Sequence, residues 1–155
     1  MVAFTGQVAV VTGASSGIGK AISLGLARQG AALCLVGRSL KTLEAVADSA
    51  RVTAPRVLCY RVDLTLDEDM RQLAASIQRD FGHVDVLIHS AGVISGGRIE
   101  VAPAADFDWQ YRTNVRAPYV LTQALLHVSC QSQSEIGIKR AFVEFVEQHS
   151  GNAIE

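Results

Sequence analysis

Thr12-Gly13-Ala14-Ser15-Ser16-Gly17-Ile18-Gly19 lies between an apolar run, residues 7–12 (QVAVVT), and a helical pattern over residues 17–29. The order is strand, tight turn, helix. A turn this sharp needs residues without a Cβ where φ is positive, and glycine supplies them. Bare backbone also lets a pyrophosphate approach the free N–H groups and positive dipole end of the helix. The spacing G-x-x-x-G-x-G differs from the commoner G-x-G-x-x-G. Its context, after an apolar strand and opening an amphipathic helix, is the one a dinucleotide fold requires.

Beyond this turn, residues 33–36 (LCLV), 57–62 (VLCYRV) and 84–88 (VDVLI) predict three more strands. Continuous apolar runs of this kind fit strands buried on both faces of a parallel sheet. Helical patterns alternate with them. Residues 17–29 carry Ile18, Ala21, Ile22 and Leu26 on one stripe, and residues 40–50 carry Leu40, Leu43 and Ala47. Residues 67–81 carry Met70, Leu73, Ala74, Ile77 and Phe81, with Thr65 as a candidate cap. This alternation implies right-handed βαβ crossovers and an α/β, Rossmann-like doubly wound parallel sheet of order 3-2-1-4. A longer helix is predicted over residues 104–127, with Pro103 near its start and Pro118 kinking or interrupting it.

After His127 the character changes. Residues 129–134 (SCQSQS) read as a polar connector, and Ser132 with Glu135 has capping-box spacing. A helix over 134–149 follows, with Ile138, Phe142, Phe145, Val146 and His149 near one face and Gly151 as its C-cap. The expected organisation is a dinucleotide-binding domain over residues 1–127 and a divergent tail over 128–155. No fifth strand is legible. An apolar edge is therefore expected at 84–89, with Val115, Leu121, Leu125 and Leu126 of the long helix exposed beside it. Docking of the terminal helix over that face, through Phe142, Phe145 and Val146, is one expectation; a frayed tail is the other.

Composition narrows the function. The 155 residues suit one domain; 49% are hydrophobic and 19% charged, as in a buried, well-packed sheet. A net charge of −1 argues against nucleic acid and anionic membrane surfaces as partners. There is neither an apolar run of spanning length nor a basic-then-apolar leader. Cys34, Cys59 and Cys130 lack metal-type spacing and read as reduced thiols of a cytoplasmic protein. His83, His89, His127 and His149 show no ligand pairing, so no metal site is expected.

Three further motifs join the glycine turn: Asp63-Leu64, Ser90-Ala91-Gly92 and Asn114. Together, over about residues 5–126, they resemble the short-chain dehydrogenase/reductase family. The resemblance implies that Gly13, Ser15, Ser16, Gly17, Ile18 and Gly19 line the phosphates and nicotinamide ribose. It further implies that Asp63 and Leu64 hold the adenine, and that Ser90, Ala91 and Gly92 form the floor under the nicotinamide half. The family pattern there usually begins Asn-Asn-Ala-Gly, where this chain has His89-Ser90-Ala91-Gly92. The activity implied is hydride transfer between a nicotinamide cofactor and a small carbonyl or alcohol substrate, in a protein that can pair through helix 104–127.

Two other readings of the turn are open. Gly13-Ala14-Ser15-Ser16-Gly17 also matches the G-x-S-x-G nucleophile elbow, but too little chain precedes Ser15 for the strands such hydrolases need first. The plainer alternative is a glycine turn that only packs helix on strand. Cofactor choice turns on the end of the second strand, where an NAD site offers a carboxylate for the ribose hydroxyls. This chain has Gly37-Arg38 there, with no Asp or Glu between Leu33 and Lys41. An arginine fork suits a 2′-phosphate, so NADP is expected ahead of NAD, unless Arg38 is simply a solvated surface arginine.

The family's acid–base chemistry uses a Tyr-x-x-x-Lys pair, a serine before it and an asparagine on the preceding helix. A neighbouring lysine and the nicotinamide's positive charge lower that tyrosine's pKa toward working pH. Asn114 occupies the asparagine position. Tyr60, Tyr111 and Tyr119 are followed four residues on by Leu64, Val115 and Gln123, none of them lysine. A chain truncated or altered after about residue 126 is the expectation, and losing the acid–base pair alone costs on the order of 10²–10⁴-fold in rate. Two functions follow: an NADP-dependent oxidoreductase by ancestry, or a non-catalytic nucleotide-binding or interaction module in this chain.

Overall fold

Val8–Thr12 forms β1, and all five of its residues are buried. The reason is its place in the sheet: in the computed structural model, which describes residues 3–131 with side chains to His127, β1 lies between two parallel neighbours. Ala32–Gly37 (β2) flanks it on one side and Val86–His89 (β4) on the other, with Val57–Arg61 (β3) beyond β2. The order β3-β2-β1-β4 is the one predicted. Register pairs Thr12 with Val36 and with His89, so three strand ends meet at one edge of the sheet.

Alternate residues of the strands serve opposite faces. Ala9, Val11, Leu33 and Leu35 pack with Gly17–Arg28 (α1) and Leu40–Ala50 (α2), through Leu26, Ala27, Leu43 and Ala47. Val8, Val10, Cys34 and Val36 pack on the other side with Asp67–Phe81 (α3) and Ala117–Gln131 (α5), through Met70, Leu73, Ile77, Leu121 and Leu125. Each face buries a branched apolar layer, at roughly 1.5–3 kcal/mol for each fully buried large side chain.

Several expectations need correction. In α1 the buried stripe is Gly19, Ser23, Leu26 and Ala27, while Ile18 and Ala21 are exposed. The helix packs close to β1 through small residues, which turns Ile18 away from the sheet. Leu40 is likewise exposed at the start of α2. Thr65 does not cap α3; its N–H and hydroxyl both donate to Asp63 Oδ1, and Asp67, Glu68 and Asp69 supply negative charge to the helix's first turn instead. The fourth strand begins at Val86 rather than 84, because the Asp85 carboxylate is diverted to accept from the Val8 N–H at 2.7 Å.

The helix predicted over 104–127 is three pieces. Ala104–Tyr111 (α4) leads into a widened π turn, Arg112–Arg116, and then α5. Pro118 explains the break: it has no N–H for the carbonyl of Asn114 four residues earlier, and its ring crowds that carbonyl, so the preceding turn widens. Leu121 and Leu125, expected on the surface, are buried against the α3 side of the sheet; Leu126 is half-buried and Val115 is exposed. The helix expected over 134–149, with the capping box and C-cap read around it, lies outside the described residues.

Candidate functional site

The glycine turn is built by close approach. Gly13 has φ +65°, and a Cβ there would meet the Ala91 backbone N at 2.7 Å. A Cβ on Gly19 would overlap the Gly13 carbonyl. Gly17 has φ +52° but open space around it, so conformation alone requires glycine there. Thr12, 1% exposed, fastens this turn to the loop after β4. Its hydroxyl donates to the Ile88 carbonyl and accepts from the N–H groups of Ser90 (3.1 Å) and Ala91 (3.2 Å).

Helix α1 begins beside this joint without a side-chain cap and without an acidic residue in its first turn. Its leading N–H groups have no intrahelical acceptor. The contrast with α3, whose first turn holds three carboxylates, is marked. An uncapped helix start of unopposed positive dipole favours negative charge beside it.

A cleft of about 570 Å³ opens over it. Gly13, Ser15, Ser16, Gly17, Ile18, Arg38, Asp63, Leu64, Ser90, Ala91 and Gly92 all line it. Gly19 does not; it lies beneath, against Gly13 and the Ser90 hydroxyl. Asn114 does not line it either. Its Nδ2 donates to the Val93 carbonyl at 2.7 Å and its Oδ1 accepts from the Val93 N–H at 2.8 Å, which holds the cleft's floor in place. The π turn that carries Asn114 is tied to the start of α3 by a two-pronged Arg116–Asp67 ion pair, whose second contact measures 2.6 Å.

Five wall residues, Val62, Thr65, Val93, Trp109 and Thr113, are not among the site residues that the sequence motifs mark. Asp63 accepts from the Thr65 N–H and hydroxyl at 2.9 and 2.7 Å, and these bonds hold its carboxyl below the usual range, with a smaller push from Arg38. Arg38 is exposed and, among the described residues, has no ion-pair partner.

His89, where the family pattern has asparagine, bonds Thr122 Oγ1 at 3.0 Å through Nε2. Because the Thr122 hydroxyl donates to the Pro118 carbonyl, it accepts from His89, which fixes the Nε2–H tautomer; desolvation lowers the ring's pKa. The Cys34 and Cys59 thiols are pushed up by burial, Cys59 to about 12, so neither is a nucleophile at neutral pH. Among the described residues no group of histidine, cysteine and carboxylate side chains is placed to hold a metal, and no helix is long and apolar enough to cross a membrane.

The profile of the short chain dehydrogenase family matches residues 7–136. An uncharacterized oxidoreductase of Staphylococcus epidermidis is 32% identical over 148 residues, covering 96% of this chain and 63% of its own length. The chain thus spans about six-tenths of that relative. The 11-beta-hydroxysteroid dehydrogenase A of Sesamum indicum is 38% identical over 96 residues, which are 61% of this chain and 28% of that protein. Among solved structures, a metagenomic short-chain oxidoreductase in complex with NADP superposes with a TM-score of 0.76 at 34% identity, over 80% of this chain and 57% of the other. The L-sorbose reductase from Gluconobacter frateurii, complexed with NADPH and L-sorbose, gives 0.75 at 35% identity, over 83% and 49%.

Proposed function

We propose, from the premise that this chain belongs to the short-chain dehydrogenase family, that its cleft holds a nicotinamide dinucleotide, NADP in preference to NAD. The observation that carries the reading is the uncapped, acid-free start of α1 under a turn whose glycines keep the backbone bare. The donor set fits the group: first-turn N–H groups of α1 for the diphosphate, the Asp63-Leu64 segment for the adenine and Ser90-Ala91-Gly92 beneath the nicotinamide half. Arg38, exposed at the cleft and in no described salt bridge though near enough to the Asp63 carboxylate to act on it, is the cation for a 2′-phosphate, and NADP or NADPH stands in two of the similar structures. Isothermal titration of the full chain with NADPH and NADH tests both parts of the proposal.

When bound, the nicotinamide supplies or accepts a hydride at the carbon of a carbonyl or alcohol. Around it this chain's residues orient and fasten. Thr12 ties the phosphate turn to the floor, and Asn114 holds Val93 at the end of that floor. A second reading is favoured by the tyrosines: none has a lysine four residues on, so these 155 residues bind the dinucleotide without turning a substrate over. Tyr60 in particular is committed to the Asp80 carboxylate at 2.9 Å, and burial raises its pKa. A carbonyl-reduction screen separates the two: binding with turnover supports the oxidoreductase, and binding alone the module. Pairing of two copies through residues 104–127 belongs to the same proposal, with Phe107, Tyr111 and Tyr119 exposed along that stretch; sedimentation of the full chain tests it.

A further inference from the structure

Two alanines and a valine stand where α3 meets α5. Ala74 of α3 is buried, and Val120 and Ala124 of α5 are half-buried. With Arg71, Gln123 and His127, all exposed, they line an open groove of about 380 Å³. Its floor is apolar and its rim polar. Arg71 pairs with Glu68 of its own helix at 2.7 Å rather than across the groove. Leu121 and Leu125 of α5 turn inward to the core beneath, which leaves small apolar residues on the groove side. A furrow floored in this way takes larger side chains from a facing helix. The four α5 residues, at i, i+3, i+4 and i+7, make one stripe that runs toward Gln131, where the described chain ends.

We propose that residues 138–146, which lie outside the described residues, return antiparallel to α5 and seat Phe142, Phe145 and Val146 in this groove. The choice of occupant follows from where the described chain ends and how much of it comes next: residues 132–155 continue directly from α5. Two to five residues suffice to join antiparallel helices, and Ser132, Gln133 and Ser134 are enough. A helix over 134–149 is about 24 Å long, against about 22 Å for α5. Equal steps outward from the turn set Ile138 level with His127, Phe142 with Gln123 and Ala124, and Phe145 and Val146 with Val120. Large apolar side chains of the segment thus meet small ones of the groove. So short a tether also holds the segment at an effective concentration on the order of millimolar, which a second copy does not match. The seating does not depend on what the cleft binds.

The test is hydrogen exchange of the full chain, wild type beside F142D and E144Q, with sedimentation of each. In wild type the amides of 138–146 are expected to exchange about tenfold or more slowly than a free chain. F142D erases that slowing and speeds exchange at 120–127 as well. E144Q, on the opposite face of the helical pattern, changes neither. A second measurement locates the segment without relying on a disruptive variant: with Cys130→Ser in place, Q123C and F142C together close a disulfide within one copy under mild oxidation. Free-chain exchange throughout 134–149 in wild type overturns the proposal. Protection that F142D leaves in place overturns it too, as does a Q123C/F142C chain that stays reduced. A disulfide that forms only between chains, with a dimer in sedimentation, makes a second copy the occupant and equally overturns it.

Discussion

The Asn114 side-chain amide and the Val93 backbone amide pair through both of their hydrogen-bonding atoms, at 2.7 and 2.8 Å. The pair works as an isolated rung of sheet between the π turn and the loop that leaves β4. It transfers the rigidity of the helix to a segment with no strand partner of its own. Asn114→Ala breaks both bonds in a solvent-exposed place, so about 1 kcal/mol of stability is lost. Urea unfolding checks the cost, and weakened NADPH binding, read by calorimetry, checks the floor's role.

Gly13→Ala and Gly17→Ala separate contact from conformation. Both positions have positive φ, worth roughly 1–2 kcal/mol against a residue with a Cβ. Only Gly13 adds an overlap with backbone atoms of Ala91. Gly13→Ala is therefore the more destabilising of the two, and equal urea midpoints would contradict the close approach.

Thr12→Val leaves the Ser90 and Ala91 N–H groups without their acceptor in a buried joint. The expected cost is about 1–3 kcal/mol. A shifted urea midpoint with an unchanged slope identifies it as a stability effect.

The fold was legible because its signals are local and periodic. Apolar runs, helical stripes and the glycine turn each depend on a few consecutive residues, and the order 3-2-1-4 follows from their alternation. Errors arose where packing or distant bonds decide. Ile18 and Ala21 fall on a helical stripe by spacing, yet α1 meets the sheet through Gly19, Ser23 and Ala27, a face of small residues that hydrophobicity does not flag. Leu121 and Leu125 read as bare surface when no fifth strand is legible, yet α3 covers them through Met70, Leu73 and Ile77. Of the site, the residues on the strand-end loops were readable by motif. Trp109 and Thr113 were not, because the π turn that carries Thr113 at the cleft wall has no sequence signature beyond Pro118 downstream.

Arg38→Ala tests cofactor choice. A charge-assisted bidentate contact is worth about 1.5–3 kcal/mol, so affinity for NADPH falls on the order of 10–100-fold while that for NADH is little changed. Parallel calorimetric titrations with both cofactors measure this. Wild-type protein that binds the two equally would remove the 2′-phosphate assignment.

Acid exposes the carboxylates. Asp63, Asp67 and Asp80 have folded pKa values below their ordinary ones, owing first to hydrogen bonds from Thr65, Arg116 and Arg79 respectively. A depressed folded pKa contributes stability that is present above the unfolded value, about 3.9 for aspartate, and lost as pH falls through the folded value. Stability is therefore expected to be flat from these groups near neutrality and to fall below about pH 4. Thr65→Val narrows that acid dependence, which urea midpoints across pH 2 to 6 would reveal.

On the proposed function, the bare turn at Gly13, Gly17 and Gly19 and the open start of α1 receive the diphosphate of a nicotinamide dinucleotide. Calorimetric titration of the folded full chain with NADPH tests it most directly. Saturable binding is expected, and Gly17→Glu, a carboxylate set at that helix start, abolishes it. Folded protein that takes up neither NADPH nor NADH would contradict it.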